Sequence, residues 1–538
     1  MTPQSVYELF SVSAKKWPER PVLNVLSETA EIYGIPSGEI SYAEAQEKIE
    51  EFRDTFGNAG YVAGQRVMLL LENRPDFFLI WLALNSLGLS VVPVNPDLKI
   101  AEQEHMIGNA EPALAIATPD RCDELRKAGR AASRPIPVIS VDDDVPAPFG
   151  SPVFETADQR INHESAILYT SGTTGKPKGC VLTNDYFSTA AEWYATAGGV
   201  CELNTDGERM ITPLPIFHMN AMAYSFMAMI SLGGCLTALD RFHPRTWWNS
   251  VAESKATCLH YLGVMPSMLM GMPEQTTDKS QSVRFGFGAG VDPTLHVAFE
   301  KRFGFPLVEA WAMTETGAGA VVAANQEPRR PGNACFGRPG PDIEFKLIDD
   351  EGKDVSAGSP GELLVRRTGS DPRKGFFKEY WKNPEETGKA WADGWFHTGD
   401  VVRQLESGDM IFVDRKKNVI RRSGENIAAV EVESVLLKHP AIDAVAVAAV
   451  PDEIRGDEVF ACLQVNKPLS EALALEIVKW SLSQMAYYKA PGYIAFVDSL
   501  PITGTNKIQR AKLKQQALDL LDHPHTADTR SLKKRQNA

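Results

Sequence analysis

The sequence has few cysteines, and they lie far apart. Its seven cysteines form no C-x-x-C pair and no local cluster with histidine. Zinc sites need ligands at short, regular spacing, and disulfide frameworks are typical of small secreted chains. Neither kind of site is indicated, so a reducing compartment, the cytoplasm, is predicted. The residues are Cys122, Cys180, Cys201, Cys235, Cys258, Cys335 and Cys462.

Long apolar runs are also missing. The first residues, MTPQSVYELF, lack the basic segment and apolar stretch of a secretory signal. The charge-poor stretches 77–94 and 219–239 are interrupted by Asn85 and Gly233, respectively. Because a membrane helix needs about 20 consecutive apolar residues, we predict a buried helix followed by a buried strand in each stretch, and no transmembrane span.

An excess of basic residues is absent as well. The 538 residues carry a formal net charge of −14, and 43% of them are hydrophobic. This composition is typical of a soluble globular protein, and the negative charge disfavours nucleic acid as a partner. The chain is too long for one compact core, so two or more domains are predicted.

The sequence does contain a regular alternation of helical and strand-like patterns. Residues 41–60 predict a capped amphipathic helix, 66–71 a strand and 75–87 an apolar helix. After this alternation, residues 361–366 and the glycine-rich turns around them predict a region rich in β-structure. We therefore predict an α/β fold with a β-rich part.

The pattern changes near Asp414, where the polar, basic run DRKKNVIRRSGEN precedes a smaller unit. About 100 residues suffice for a compact domain, so we predict a large domain over 1–414 and a small α+β domain over 415–538. The charged tail from Asp522 is predicted to be frayed. Helices are predicted in the small domain over 430–438 and 471–485, and strands over 444–450 and 459–465.

The loop from Tyr169 to Cys180, YTSGTTGKPKGC, is rich in residues that hold anions. Glycine lets successive N–H groups converge on oxygen atoms, and lysine neutralises charge. The common nucleotide loop G-x-x-x-x-G-K-[ST] is not matched, because Pro177 stands where its second glycine belongs. Strand-like runs at 165–170 and 179–183 flank the loop, so a phosphate site of another kind is predicted.

Further motifs follow this loop along the chain. They are PIFHMNAM (215–222), FGAG (287–290), EAWAMTETG (309–317), GELLVR (361–366), WFHTGD (395–400), FVDRKKNVI (412–420), SGENI (423–427) and PITGTNKIQR (501–510). In this order and at these spacings they resemble the adenylate-forming superfamily, which includes acyl-CoA synthetases, adenylation domains and firefly luciferase. The resemblance covers nearly the whole chain.

The resemblance implies an AMP-forming acyl-CoA synthetase. Such an enzyme joins a carboxylic acid to ATP, giving acyl-AMP and pyrophosphate, and then transfers the acyl group to coenzyme A. It implies ATP, Mg²⁺ and coenzyme A as reactants and cofactors, and a small C-terminal domain that moves about a hinge near residues 414–417. The runs FVDRKKNVIRRSGENIAAVEVE and FFKEYWKNPEETGKA are most similar to crotonobetaine/carnitine-CoA ligase-like enzymes and their medium-chain relatives.

By the same resemblance, a large set of residues is assigned to ATP. Joining two anions requires cations and backbone donors where charge builds up, and the loop with Lys176 and Lys178 supplies them. Asp400 offers a carboxylate to both ribose hydroxyls, and Trp311, where relatives usually carry tyrosine, is assigned to the adenine. The predicted ATP-binding residues are Thr170, Ser171, Gly172, Thr173, Thr174, Gly175, Lys176, Lys178, Gly288, Ala289, Gly290, Glu309, Ala310, Trp311, Met313, Thr314, Asp400, Phe412, Arg415 and Lys507.

The motif MTETG carries the predicted metal site. Thr314, a predicted catalytic residue, supplies a hydroxyl, and Glu315 supplies a hard oxygen ligand that suits Mg²⁺. Structural roles are the alternatives: Glu315 as a carboxylate at a helix N-terminus, Trp311 as a core side chain, and Asp400 in a salt bridge with Arg415.

Lys507 is the predicted catalytic lysine. The resemblance places it between the substrate carboxylate and the α-phosphate, where it stabilises charge as the adenylate forms; a surface charge is the alternative. Lys417 matches the hinge residue of the family. Rotation about it is predicted to withdraw Lys507 and to present the turn of Ser423, Gly424 and Glu425 to the acyl-adenylate for attack by coenzyme A.

The acyl pocket is predicted near PIFHMNAM. His218, a predicted catalytic residue, matches the family position that lines the acyl site and gates the thiol, with Met219 and Met222 beside it; core packing is the alternative. Eight of the 15 methionines fall between Met219 and Met272, and methionine adapts to varied apolar groups. No acidic residue stands at 217–220, where amino-acid-activating relatives carry aspartate, so activation of an amino acid is disfavoured.

Two rival functions remain open. An adenylation enzyme that loads a carrier protein would need its partner in trans, because only 31 residues follow Lys507. A non-catalytic adenylate-binding protein is expected to have lost a site residue, whereas Lys507, Glu315 and Asp400 are all in place. A monomer or a homodimer is expected, and these motifs leave the identity of the acid open.

Overall fold

The structure is a computed structural model that describes residues 3–150, 159–170, 177–279, 281–349, 351–415, 419–501 and 508–534. The chain forms two compact units. The first contains residues 1–95, 107–168 and 179–414, and the second contains residues 96–106, 169–178 and 415–538. Two short segments from the first third of the chain thus belong to the second unit, which the sequence patterns did not indicate.

An eight-stranded sheet lies in the first unit. Six neighbouring strands run parallel, and the strand at each edge runs antiparallel. Because carboxyl ends of parallel strands meet at one edge of a sheet, the segments that follow residues 262, 289 and 311 start at the same edge. In order across the sheet, the strands are Val322–Ala323, Leu307–Trp311, Phe285–Ala289, Cys258–Leu262, Arg209–Thr212, Cys235–Ala238, Pro21–Val25 and Gly38–Ser41.

A seven-stranded sheet contains the strands on either side of the predicted phosphate loop. These two strands are neighbours in the sheet, which confirms that the loop joins two strands. The loop residues 171–176 themselves lie outside the described residues. In order, the strands are Glu379–Tyr380, Lys178–Thr183, Glu164–Thr170, Ser90–Pro93, Arg66–Leu70, Leu114–Ala117 and Val138–Ile139.

A six-stranded sheet forms the part of the first unit that was predicted to be rich in β-structure. Its strand Pro360–Arg367 contains the GELLVR motif and pairs antiparallel with both of its neighbours. In order, the strands are Cys335–Gly337, Met410–Arg415, Trp395–Gln404, Pro360–Arg367 and Ile343–Ile348, with Trp391–Ala392 paired to Trp395–Gln404.

The helices of the first half of the chain follow the local sequence signals. Helix Tyr42–Asn58 begins with a capping box, in which Ser41 and Glu44 each accept a hydrogen bond from the other's backbone N–H. Helix Pro75–Ser86 is buried and is followed by a strand, as predicted. Among the described residues, no helix combines the length and hydropathy needed to cross a membrane.

The remaining helices before residue 415 have at most 13 residues. A π-helix, Asn220–Phe226, runs directly into an α-helix. Short 3₁₀ helices occur at Pro119–Arg121, Arg160–Asn162, Gly199–Cys201 and Gly317–Ala320. The other α-helices are Val6–Lys16, Ser27–Tyr33, Ile100–Ala110, Cys122–Ala131, Asn184–Thr196, Met227–Leu232, Trp247–Ser254, Val264–Met270, Pro293–Phe303 and Pro384–Ala390.

The second unit is built on another six-stranded sheet, and the four elements predicted for it are all present. Its strands are Glu425–Ala428, Val419–Arg422, Gly456–Val465, Tyr493–Phe496 and Ala527–Asp528, in this order, with Ile442–Asp452 also paired to Gly456–Val465. Its α-helices are Ala429–Leu436, Glu471–Gln484 and Arg510–Leu520, and Arg530–Leu532 is a 3₁₀ helix.

The prediction of a frayed tail from Asp522 is wrong. Strand Ala527–Asp528 adds to the edge of the sheet beside Tyr493–Phe496. Thr529 is buried; its N–H donates to the Gly492 carbonyl at 2.9 Å and its hydroxyl to the Pro491 carbonyl at 2.8 Å. The tail is polar in composition, but its backbone forms hydrogen bonds with the edge of the sheet.

The cysteines contribute to packing. All seven are buried thiols. Burial raises the pKa of Cys201, Cys235 and Cys462 to about 12. Because the thiolate is the nucleophilic and metal-binding form, these side chains act as small apolar groups at neutral pH.

Candidate functional site

The glycine motif FGAG ends the parallel strand Phe285–Ala289. A Cβ atom at Gly288 would lie 2.2 Å from the carbonyl oxygen of Tyr261 on the next strand, so only glycine permits this close approach. Gly290 follows with a φ of +82°, in the left-handed region. The motif therefore presents backbone, without side chains, at the edge where the parallel strands end.

Glu309 faces this segment from the neighbouring strand Leu307–Trp311. Its carboxylate accepts hydrogen bonds from the N–H groups of Gly290 at 2.9 Å and Val291 at 2.8 Å, and from the Tyr261 hydroxyl at 3.3 Å. Burial raises the pKa of Glu309, while the two backbone donors oppose that shift. Glu309 thus fixes the backbone of Gly290, which is itself a predicted ATP-binding residue.

Trp311 and Asp400 are in direct contact. The indole Nε1 of Trp311 donates to Oδ2 of Asp400 at 2.8 Å, and both side chains are buried. Asp400 also donates its backbone N–H to the Thr398 hydroxyl at 3.0 Å, which fixes the strand Trp395–Gln404 locally. The residues predicted for adenine and for ribose are therefore joined by a hydrogen bond that the sequence did not predict.

Glu315, the predicted metal ligand, is buried and held by a neutral donor. Its Oε1 accepts a hydrogen bond from the Tyr380 hydroxyl at 2.7 Å. Burial and the nearby charge of Glu315 raise the pKa of Tyr380, so the hydroxyl keeps its proton. In the described ranges, no lysine, arginine or histidine forms an ion pair with Glu315. Tyr380 therefore orients the carboxylate without pairing it with a cation.

The remaining residues of the MTETG turn and Phe412 have partly accessible side chains. Met313 and Thr314 are half-buried, and the Met313 N–H donates to the Thr316 hydroxyl at 2.9 Å. Phe412 is half-buried on strand Met410–Arg415, and its N–H donates to the Ala334 carbonyl at 3.1 Å. The turn is therefore held by local hydrogen bonds next to the buried Glu315.

Other predicted residues are placed only in part. Thr170 ends strand Glu164–Thr170, and the buried Lys178 begins strand Lys178–Thr183. Outside the described residues lie Ser171, Gly172, Thr173, Thr174, Gly175, Lys176, Lys417 and Lys507, together with the side chain of Arg415.

The predicted acyl residues lie at the start of a π-helix. His218 is half-buried, its ring centroid is 4.7 Å from that of Phe217, and its carbonyl accepts from the Met222 N–H at 3.4 Å. Met219 is half-buried and Met222 is buried. The π-helix Asn220–Phe226 follows at once. Such helices are rare and occur often at functional sites.

His260 anchors this π-helix and was not predicted. Its Nδ1 lies 2.6 Å from Asn220 Oδ1 and 2.8 Å from Ser225 Oγ, and its Nε2 lies 3.0 Å from the Tyr194 hydroxyl. Burial lowers the pKa of His260 to about 3, so the imidazole is neutral at physiological pH. It therefore supports the π-helix as a hydrogen-bonding group, and it is not a candidate acid or base near neutral pH.

Aromatic side chains connect the π-helix to the glycine motif. The rings of Trp193 and Tyr224 have centroids 5.7 Å apart, and the Phe287 centroid lies 5.9 Å from that of Trp193. Phe287 directly precedes Gly288 in the strand Phe285–Ala289. One aromatic cluster thus links the π-helix to the strand that carries the glycine motif.

Sequence reasoning missed Tyr261, Tyr380 and His260. Tyr380 lies in the run FFKEYWKNPEETGKA, which carries part of the resemblance, but its partner Glu315 is 65 positions away. No local spacing links such residues, since they meet only when distant strands pair. A single sequence therefore offered no signal for them.

Known families match this chain over most of its length. The profile described as AMP-binding enzyme matches residues 10–381, and the profile of the AMP-binding enzyme C-terminal domain matches residues 431–507. Crotonobetaine/carnitine–CoA ligase from Salmonella paratyphi A is 30% identical over 493 residues, which cover 88% of this chain and 93% of the relative. The ligase of the same name from Salmonella typhi matches to the same extent.

Solved structures share the fold. A double mutant of o-succinylbenzoate CoA synthetase from Bacillus subtilis has a TM-score of 0.80 and 23% identity, covering 94% of this chain and 98% of its own. An amide bond synthetase from Marinactinospora thermotolerans has a TM-score of 0.79, 22% identity and coverages of 95% and 99%. A malonyl-CoA ligase complex with methylmalonyl-CoA and AMP has a TM-score of 0.73, 24% identity and coverages of 90% and 97%.

The two kinds of comparison carry different weight. Similarity to solved structures at these low identities establishes the adenylate-forming fold, which serves both CoA ligases and an amide bond synthetase. The family profiles and the 30% identical ligases establish the family and its acceptor. The resemblance in the motifs is thereby confirmed: the chain belongs to the AMP-binding enzyme family and is an AMP-forming carboxylic acid–CoA ligase.

Proposed function

We propose that this ligase activates its acid with ATP and Mg²⁺ at a site that includes Glu315 and Asp400. The main support is that both carboxylates accept hydrogen bonds from neutral aromatic donors, Tyr380 and Trp311. A neutral donor orients a carboxylate without cancelling its charge. Glu315 forms no ion pair with a lysine, arginine or histidine of the described ranges, so its charge remains available to a metal ion.

Asp400 is the proposed ribose acceptor. Trp311 orients its Oδ2, and the same indole ring provides a flat apolar surface for the adenine. The backbone of Gly288–Gly290, braced by Glu309, is proposed to form the other face of the adenine site. One hydrogen bond would thus set the relative positions of the base and sugar contacts.

Glu315 is the residue proposed to hold Mg²⁺. Magnesium is commonly bound through one or two carboxylates plus phosphates and water, so a single oriented carboxylate fits this donor set. When bound, Mg²⁺ neutralises phosphate charge and so reduces the repulsion between ATP and the incoming carboxylate. The chain contributes the orientation of Glu315 through Tyr380, and the half-buried Thr314 hydroxyl beside it.

The turn of Ser423 and Gly424 is proposed to serve the second half-reaction. It connects strands Val419–Arg422 and Glu425–Ala428, so it presents backbone at the end of a hairpin. Its proposed partners in the mechanism, Lys417 as hinge and Lys507 as the lysine of adenylation, rest on the sequence resemblance. A cytoplasmic location and a monomeric or homodimeric state belong to the same proposal.

The activity is tested with purified protein and a panel of carboxylic acids. Crotonobetaine and carnitine come first, because the 30% identical relatives carry these names, followed by short, medium-chain and aromatic acids. We expect at least one acid to support both exchange of pyrophosphate into ATP and consumption of coenzyme A. Failure of both with every acid, beside an active control synthetase, would refute the proposal.

A single substitution tests the division of labour. Lys507→Ala is expected to abolish most of the pyrophosphate exchange while retaining thioester formation from supplied acyl-AMP, since the lysine is assigned to adenylation only. Equal loss of both half-reactions would contradict that assignment. Omission of Mg²⁺ is expected to give the same pattern as Lys507→Ala.

A further inference from the structure

Three ionisable side chains, Arg422, Glu458 and Lys533, are in contact inside the second unit; we call them the tail cluster. Arg422 Nε lies 2.8 Å from Glu458 Oε2, and Lys533 Nζ contacts Glu458 Oε1. The side chains of Arg422, Glu458 and Lys533 are 3%, 0% and 0% exposed, respectively. Buried charges are costly unless they are paired and hydrogen-bonded.

The surroundings are shaped to accept this cluster. Glu458 Oε1 also accepts the Val459 N–H at 2.9 Å, so both carboxylate oxygens have donors. A Cβ atom at Gly492 would lie 2.4 Å from Glu458 Cγ, so glycine is needed there to leave room for the carboxylate. Replacement of a buried ion pair by apolar side chains of similar volume is often neutral or stabilising. Stability alone therefore does not explain this cluster.

The C-terminal segment determines where Lys533 sits. Strand Ala527–Asp528 is paired to the sheet, and Thr529 donates its N–H to the carbonyl of Gly492, the residue that packs against Glu458. Arg530 bonds to Asp528 at 2.7 Å, and a 3₁₀ helix leads from there to Lys533. The lysine is therefore delivered to Glu458 by an ordered segment.

Arg422 connects the tail cluster to a strained turn. It is the last residue of strand Val419–Arg422, directly before Ser423, whose φ is +50°, and Gly424, whose φ is +91°. A positive φ is uncommon for serine, and such backbone persists only where its surroundings hold it. On one side the Ser423 N–H donates to the Arg455 carbonyl at 2.9 Å. On the other side the anchored side chain of Arg422 holds the strand end.

We propose that Lys533 is a positioning residue for thioester formation, acting through Glu458 and Arg422 on the turn of Ser423 and Gly424. This inference rests on the proposed function, in which that turn serves the attack by coenzyme A. The side chain of Lys533 is buried and belongs to none of the motifs that identify the family. It contributes by fixing the backbone on which the second half-reaction depends.

The test separates the two half-reactions in the full-length enzyme. Lys533→Met removes the amino group that contacts Glu458 and keeps the aliphatic stem. We expect thioester formation from supplied acyl-AMP to fall about tenfold to a hundredfold, as for small misplacements of reacting groups. Pyrophosphate exchange is expected to stay within about twofold of the parent rate, because Lys533 is assigned to the second half-reaction only. A twofold change is smaller than the change that the loss of a single hydrogen bond causes. Lys533→Arg should recover most of the lost rate. The exposed neighbour Lys534 provides the control: Lys534→Met should change neither rate.

Each outcome decides the proposal. Equal losses in both half-reactions, or no loss in thioester formation, would overturn it. Glu458→Gln carries the same expectation and replaces Lys533→Met if that variant fails to fold. Insolubility of both variants would assign the cluster to folding alone and would also overturn the proposal.

A variant in the turn distinguishes failure of the inference from failure of the proposed function. Gly424→Ala places a side chain at a φ that disfavours it, so thioester formation should fall. If Gly424→Ala is fully active, the turn does not serve that step. If Gly424→Ala is impaired while Lys533→Met is not, the proposed function stands and only the role of Lys533 is wrong.

Discussion

Glu315 and Asp400 of the first unit are held differently from the buried carboxylates of the second unit, although other carboxylates of the first unit, such as Glu208 and Asp409, pair with arginine. In the first unit, Glu315 accepts a hydrogen bond from the hydroxyl of Tyr380, and Asp400 accepts one from the indole of Trp311. In the second unit, the buried carboxylates have cationic partners. Lys489 lies 2.6 Å from both Glu102 and Glu431, Arg510 lies 2.6 Å from Glu433, and Arg422 and Lys533 contact Glu458.

The difference distinguishes carboxylates that can bind a ligand from carboxylates that stabilise the protein itself. A neutral donor orients a carboxylate and leaves its charge for a ligand, whereas a cation consumes that charge inside the protein. Lys489 illustrates the second case: burial alone would lower its pKa, but the charges of Glu102 and Glu431 outweigh burial and raise it. Substitutions around Glu315 and Asp400 should therefore affect ligands, and substitutions around Lys489 should affect stability.

The largest effect is expected for Lys489→Met. It leaves Glu102 and Glu431 buried without their cation, and breaking a buried ion pair typically lowers the free energy of unfolding by about 3–5 kcal/mol. Urea denaturation followed by circular dichroism measures this. The exposed pair of Lys467 and Glu476, 3.5 Å apart, supplies the control: Lys467→Met should cost less than about 1 kcal/mol. If both variants lose equally little free energy of unfolding, the buried cation of Lys489 stabilises the protein no more than an exposed one.

The pH dependence of that effect has a definite sign. Because the pKa of Lys489 is raised in the folded protein, its stabilisation is complete below the ordinary lysine pKa and is lost as pH rises through the raised value. The difference in free energy of unfolding between the parent and Lys489→Met should therefore be constant from about pH 6 to pH 9. A decline within this range would contradict the assigned pairing.

Glu315→Gln is expected to come next. Glutamine keeps a carbonyl acceptor for Tyr380 but removes the negative charge, so pyrophosphate exchange should fall about a hundredfold, a loss typical of one missing electrostatic contact. The free energy of unfolding should change little. The half-buried Glu344 serves as control, because Glu344→Gln removes a charge that is already paired with Arg366. A stability loss without a loss of exchange would assign Glu315 to architecture.

Tyr380→Phe should have a smaller effect on the same step. It removes the hydroxyl that orients Glu315, and loss of a residue that orients a metal ligand typically costs about tenfold. Exchange should recover in part at raised Mg²⁺ concentration. Tyr61→Phe is the matched control, since the buried Tyr61 hydroxyl has no hydrogen-bond partner among the described residues. Equal effects of the two variants would remove the special role of Tyr380.

The smallest effect is expected for Trp311→Phe. The ring is kept, but the hydrogen bond to Asp400 is lost, so the KM for ATP should rise about three- to tenfold with kcat nearly unchanged. Trp247→Phe is the control, because the indole nitrogen of Trp247 is buried without a hydrogen-bond partner among the described residues. A fall in kcat at constant KM would contradict a binding role for the Trp311 bond.

Local features of the fold could be predicted from the sequence, and long-range pairings could not. Helix Tyr42–Asn58 is specified by its own capping residues and apolar periodicity. The order of the motifs identified the family, although Glu315 and Asp400 gave no indication of Tyr380 and Trp311 as their donors. Such pairs depend on which strands become neighbours, which no local pattern specifies.

The C-terminal tail demonstrates the same limit. Its charged composition predicted fraying, because composition reports how much apolar surface a segment can bury. The tail is instead ordered by backbone pairing of Ala527–Asp528 and by the contact of Lys533 with Glu458. Both interactions use polar groups whose partners lie far away in the sequence.

Because its cysteines are buried, the native chain should react little with thiol-specific fluorescent dyes. Maleimide dyes react with thiolates, and burial at Cys201, Cys235 and Cys462 leaves almost none at neutral pH. Cysteines introduced at Val12 in the first unit, 52% exposed, and at Leu469 in the second, 63% exposed, would be preferred targets. Energy transfer between two such dyes could then follow the units through a catalytic cycle without removal of any native residue.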